Sequence, residues 1–165
     1  MNKVSSIQDY QDTSDNAIQC IPAKIKEINP IADVCILEVP TIVQSNFILD
    51  STDSVQVGES IAVFGYPHSD HGRMVLTQQD TSIGAKILIE SSGIKLKNIV
   101  LNIQSRPGQS GSPIVIPEKR AIAGLLIGSY APQVNGSISI GGIDPQTLHQ
   151  TTHAISAEYI KEMLE

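Results

Sequence analysis

The stretch "RPGQSGSPIV", residues 106–115, decides how the chain is read. Gly108, Ser110, Gly111, Ser112 and Pro113 crowd into one tight turn that runs straight into β-branched residues. A serine hydroxyl is a weak nucleophile until a base takes its proton and something stabilises the oxyanion that follows. The turn suits the second task. Gly108 can adopt a positive φ, so its N–H can point to the same side as the N–H of Ser110. Two main-chain donors then converge beside a hydroxyl, as in an oxyanion hole, and Gly111 keeps the bend tight. A phosphate-binding P-loop needs a lysine after its second glycine and then a helix; neither is here. An α/β-hydrolase elbow needs glycine two residues after the serine, where Ser112 stands, and a helix where Pro113 and "IVI" follow. The competing reading is an ordinary glycine-rich β-turn.

Working outward, the surrounding chain is β-like. Short apolar runs fall at 17–28, 33–39, 60–67, 73–79, 84–90, 98–104, 113–117, 121–129 and 136–142. Turn residues separate them at intervals of roughly ten residues, the signature of an all-β sandwich or barrel. Helical spacing occurs only in "SAEYIKEMLE", 156–165, where Ser156 offers an N-cap and Ile160, Met163 and Leu164 share a side. A terminal helix packed on the barrel is expected. Residues 44–60 read as the connector between two halves.

Composition narrows the function. A chain of 165 residues that is 41% hydrophobic can bury a core, and with no Trp that core must be mostly Ile, Val and Leu. The net charge is −6 and the basic residues are scattered, so a nucleic-acid footprint is not expected, nor an acidic membrane as partner. Residues 1–16 have no apolar h-region, and no run reaches the ~20 apolar residues of a membrane span. Cys20 and Cys35 read as two buried thiols rather than a bridge, which fits a reducing, cytoplasmic setting. No cofactor is expected.

Several segments, taken in order, resemble the trypsin-like serine proteases, nearest in flavour to their HtrA-type bacterial and organellar members. "ADVCILEV", 32–39, is similar to the strand that begins with the catalytic Asp, here Asp33. "VFGYP", 63–67, looks like the first strand of the second barrel. "PGQSGSPIV" resembles the nucleophile loop, "IAGLLIGSY", 122–130, the strand lining the cleft, and "HAISAEYIKEML", 153–164, the closing segment and helix. The resemblance implies an all-β, chymotrypsin-like Greek-key double barrel. Residues 1–50 would be the remnant of an incomplete first barrel carrying Asp33, and 51–165 a complete second barrel carrying the serine loop. It implies a serine endopeptidase acting on a protein or peptide, with Ser110 as nucleophile, Asp33 as orienting carboxylate, and the N–H groups of Gly108 and Ser110 as oxyanion donors. Gln109 would contribute backbone only.

That family orders its triad His, Asp, Ser, yet no histidine precedes Asp33. His68 and His71 lie in "PHSDHG", a loop the family places away from the nucleophile. His149 reads as surface, and His153 occupies a position usually filled by an aromatic packing residue. A metal at His68 and His71 is disfavoured, since a catalytic zinc normally has three protein ligands. Either an upstream segment is missing, or a second chain supplies the imidazole, or the protein is a non-catalytic module that binds extended peptides. Asp33 would then orient nothing and is expected to be partly buried and hydrogen-bonded to backbone. An incomplete first barrel would also expose apolar strand edges. Gln104, Ser105, Ile127, Ser129 and Gly141 are candidates for the side-chain pocket. The absence of an acid at its base suggests a small or medium apolar preference.

Overall fold

The computed structural model describes residues 6–14, 20–41, 45–130 and 151–165. The chain is mostly β with one short C-terminal helix. Two strands, β1 (Lys24–Asn29) and β2 (Val34–Glu38), form a separate antiparallel hairpin. Asn29 makes its turn, its Oδ1 accepting from the Ile31 and Ala32 N–H groups at 3.1 and 3.0 Å. This is the local bonding that favours Asn at turns.

The second sheet contains β3 (Ile48–Leu49), β4 (Ser60–Gly65), β5 (Thr77–Ser91), β6 (Ile94–Leu101), β7 (Pro113–Ile116), β8 (Ala121–Tyr130) and β9 (Thr151–Ser156). Its order is β3-β8-β7-β4-β5-β6-β9, and β9 pairs back onto β8. That last pairing closes β8, β7, β4, β5, β6 and β9 into a barrel, which leaves little open sheet edge. β3 lies outside the ring, parallel to β8 at Ala121 and Ile122. Closure follows from side-chain alternation. Ile61, Val63, Ile83, Ile99, Leu101, Ile114, Ile116, Leu126 and Ala154 form one buried cluster, with the small Ala121 and Ala123 among them. The next residues along the same strands, Leu125, Ile127 and Ile155, belong to a second cluster. This second cluster joins the outer barrel wall to Ala32 and Val34 of the hairpin and to Ala157 and Ile160 at α1 (Glu158–Leu164). The serine loop and Asp33 thus sit on bodies joined by one apolar seam.

Several expectations change. The runs at 73–79 and 84–90 fuse into β5. Its first half pairs with β4 and its second with β6, and a bulge between Ile83 and Ala85 bends it from one partner to the other. The run at 17–28 becomes strand only from Lys24, after Pro22. β6 begins at Ile94, after a two-residue turn in which Ser92 and Gly93 both take positive φ, and ends at Leu101. Residues 151–156, read as a closing segment, are a full strand. The helix starts at Glu158 rather than Ser156, because Ser156 ends β9 and its buried Oγ accepts from the Thr52 N–H at 3.0 Å. Both cysteines are exposed and free, not buried: Cys20 precedes β1, and Cys35 lies on the uncovered side of the hairpin. The run at 136–142 lies outside the described residues. Among the described residues no helix is long and apolar enough to cross a membrane.

Candidate active site

Arg106, Pro107, Gly108 and Gln109 form the turn ahead of Ser110. The Gln109 N–H donates to the Arg106 carbonyl at 3.1 Å, and Gly108 has φ of +86°. A closing i to i+3 bond, Pro at the second position and positive φ at the third mark a type II turn. Beyond it the loop is stitched to β8. The Gly111 N–H donates to the Leu126 carbonyl at 2.7 Å, and the Leu126 N–H to the Ser112 carbonyl at 2.9 Å. β4 abuts the loop at Gly65, where a Cβ would collide with the Ser112 Oγ.

Gln109 does more than the sequence suggested. Its side chain is fully buried; Oε1 accepts from the Arg106 N–H at 2.6 Å and Nε2 donates to Gln79 Oε1 at 2.7 Å. It pins the turn to β5 from inside. The signal available in the sequence was a large polar residue between two glycines of an otherwise tight turn.

Ser110 is exposed, and its hydroxyl donates to the Ile127 carbonyl at 3.2 Å. Among the described residues, neither the Gly108 nor the Ser110 N–H has an acceptor. Two unspent amide donors therefore flank a surface hydroxyl. Along residues 127–130 β8 pairs with β9 on one side only; no described strand covers the other, beside Ser110. A notch of about 230 Å³ lies at this end of β8, lined by Ile127, Gly128, Ser129 and Tyr130 and by His153 of the paired β9.

The structure brings two of the pocket candidates together: Ser105 and Ser129 share a hydroxyl–hydroxyl hydrogen bond of 2.7 Å. Thr152, buried on β9, holds that wall, accepting from the Ser105 N–H at 2.9 Å and donating to the Ile103 carbonyl at 2.7 Å. Ile127 lies between this wall and Ser110, and Gln104 is the exposed residue beside Ser105. Gly141 and His149 lie outside the described residues. Asp33 stands at the hairpin turn with φ of +56°, a conformation Asp tolerates. It is exposed between the buried Ala32 and Val34. Among the described residues nothing bonds its carboxylate, so the expected backbone-held, partly buried group is not what the hairpin presents.

The loop of His68 and His71 sits differently from expectation. The loop carrying His68 and His71 packs directly on the serine loop, with the His68 N–H donating to the Pro107 carbonyl at 2.7 Å. His153 stacks on Tyr130 with centroids 6.0 Å apart, and its Nε2 lies 3.1 Å from the Thr151 hydroxyl. Burial pushes the His153 imidazole below its ordinary range. Among the described residues, no three His, Cys, Asp or Glu side chains converge to hold a metal.

No protein-family model matches the sequence, and no curated protein matches it. Solved structures do match the fold. Rv3671c from M. tuberculosis H37Rv, crystallised as a serine-to-alanine mutant in an inactive form, superposes with a TM-score of 0.60 at 17% identity, over 87% of this chain. The MamO protease domain from Magnetospirillum magneticum, in its apo form, superposes with a TM-score of 0.60 at 14% identity, over 88% of this chain. This chain spans 63% of the first protein's chain and 68% of the second's. A closed barrel, a glycine-flanked serine beside β8 and these superpositions together give the chain the chymotrypsin-like fold of trypsin-like protease domains.

Proposed function

We propose that this chain carries the serine half of a trypsin-like serine endopeptidase. Ser110 is the nucleophile, and the Gly108 and Ser110 amides receive the oxyanion. A peptide substrate lies extended along the open edge of β8 at residues 127–130, adding a strand as edge-binding peptides do. The observation that supports this reading is the pair of unspent amides beside an exposed hydroxyl at that edge. In the reaction the Ser110 oxygen bonds to the substrate carbonyl carbon as its proton passes to a base. The leaving amine then departs with a proton, and water releases the acyl group. The base is an imidazole that residues 1–32 do not contain, and Asp33 is assigned to orient it. Without a base, a triad site keeps only about 10³–10⁴-fold over water, from oxyanion stabilisation and binding.

A specific observation favours a second reading for the isolated chain. The Ser110 hydroxyl spends its proton on the Ile127 carbonyl rather than on a base. By itself the chain then binds extended peptides without cleaving them. Small added imidazole separates the two. It should raise hydrolysis of an activated ester by the chain, and Ser110→Ala should remove the imidazole-dependent increment. With the protein-free imidazole rate subtracted, an increment that survives Ser110→Ala ends the nucleophile assignment.

A further inference from the structure

The loop from Tyr66 to Gly72 was expected to lie away from the serine, yet it makes several contacts with Pro107 and Gly108. The His68 N–H donates to the Pro107 carbonyl at 2.7 Å, and the Ser69 Oγ donates to the Gly108 carbonyl at 3.3 Å. The fit is close: a Cβ on Gly108 would run into the Ser69 side chain and come within 2.8 Å of the Ser69 N and 2.9 Å of the Tyr66 carbonyl oxygen.

The His68 bond falls on the peptide that decides whether the oxyanion donor exists, and the Ser69 bond on the next one, Gly108–Gln109. Type I and type II turns differ mainly by a flip of the central peptide plane, here Pro107–Gly108. The peptide is trans, so its C=O and N–H point in opposite directions. Fixing the Pro107 oxygen therefore aims the Gly108 N–H. Held by the His68 amide, the oxygen points into the 66–72 loop and the N–H points away from it. A flip to type I would break the His68 bond and turn the donor away.

The holding loop is itself fixed. His68 takes φ of +65° and ψ of 25°, an unusual place for a residue with a side chain. Such a conformation persists where the surroundings over-determine it. Here the His71 N–H donates to the His68 carbonyl at 3.0 Å, the Gly72 N–H to the Ser69 carbonyl at 2.9 Å, and the Ser69 N–H to the Tyr66 carbonyl at 3.2 Å.

We propose that His68, whose main-chain N–H holds the Pro107 oxygen, and Ser69, whose hydroxyl holds the Gly108 oxygen, are positioning residues that clamp Gly108 through the peptides on both its sides, keep the Pro107–Gly108 peptide in its type II orientation and so create the oxyanion donor at Gly108. This rests on the protease-like reading of the serine loop. It gives the "PHSDHG" loop a role that needs neither a metal nor an imidazole acting as base.

The test uses the whole chain, isotopically labelled, with a peptidyl boronic acid, whose boron accepts the serine oxygen and presents a tetrahedral anionic centre. Binding should shift the Gly108 and Ser110 amide proton resonances downfield. Ser69→Ala should weaken binding roughly three- to tenfold, the worth of about one hydrogen bond. It should shrink the Gly108 shift while leaving that of Ser110 in place, and Ser69→Thr, which keeps the hydroxyl, should restore both. In the free protein the His68 amide should exchange slowly, and faster in Ser69→Ala. Full affinity and an undiminished Gly108 shift in Ser69→Ala would overturn the positioning role while leaving the serine site standing. A wild-type chain whose Gly108 and Ser110 amides ignore the boronate would overturn both.

Discussion

The closed barrel and the β1–β2 hairpin are written in the same alphabet and end up differently. Both alternate apolar and polar residues, and both are antiparallel. In the barrel the apolar positions vanish: Ile61, Ile83, Ile99 and Ile114 are each at most 2% exposed. In the hairpin only one side finds cover. Val34 packs on the seam to α1, while Ile25, Ile28 and Leu37 remain 65%, 59% and 56% exposed. Alternation specifies a strand but not what will cover it, and a two-stranded ribbon has no interior of its own. The serine site inherits this contrast. Ser110 rides on the barrel and is stitched to it, whereas Asp33 rides on the hairpin and no described partner bonds its carboxylate.

Mutations should break or sharpen that contrast. The largest effect belongs to the lumen: Ile114→Ala should cost about 2–5 kcal/mol in urea unfolding, from lost burial and a residual cavity. Leu37→Ala on the open side of the hairpin should stay within about 0.5 kcal/mol, as surface changes usually do. Equal losses would mean the hairpin is buried as deeply as the barrel. Next comes the staple under Ser110. Gln109→Ala strands the Arg106 N–H and the Gln79 amide oxygen and leaves a cavity where a fully buried side chain stood, at about 1–3 kcal/mol in all, since both stranded groups are only partly covered. It should also blunt the boronate response, and a variant of unchanged stability would remove Gln109 from its anchoring role.

Thiol chemistry probes the same boundary at smaller scale. Cys20 and Cys35 should both react with an aromatic disulfide reagent in the native state as fast as after denaturation; protection of either would show cover the hairpin is not known to have. The smallest effect is His153. Its folded pKa is depressed by burial below 6.5, so the unfolded chain takes up the proton first. Stability should therefore be unaffected well above pH 6.5 and decline as pH falls through that value. His153→Phe should flatten the slope, and an unchanged slope would assign it to other groups.

The barrel was legible because its period-two runs and turn residues coincide, and because the serine loop combines glycines with a following β-branched strand. Where the strands failed to show, a physical reason is visible. β5 changes partner in mid-strand, and a bulge at Ile83–Ala85 looks in sequence like a gap. β9 reads "TTHAIS", whose Thr152 and Ser156 are buried but polar, their hydroxyls spent on Ile103, Ser105 and Thr52. Hydropathy cannot see such satisfied groups. Ser156 lent itself to a helix cap for the same reason. The approach of the 66–72 loop to Gly108 was illegible because its bonds end on main-chain carbonyls, those of Pro107 and Gly108, which no residue type announces. The exposure of Cys35 followed from a hairpin face whose cover the sequence could not specify, and Cys20 lies ahead of that hairpin.

The central claim is that Ser110 is set apart from its neighbours by the two amides beside it. Peptide mapping of a fluorophosphonate adduct, formed on the intact chain with added imidazole as base, tests this most directly. The account predicts one adduct, on Ser110, that grows with imidazole and leaves Ser105, Ser112 and Ser129 unmodified. An adduct spread evenly over these serines, or none on Ser110 at any imidazole concentration, would contradict it.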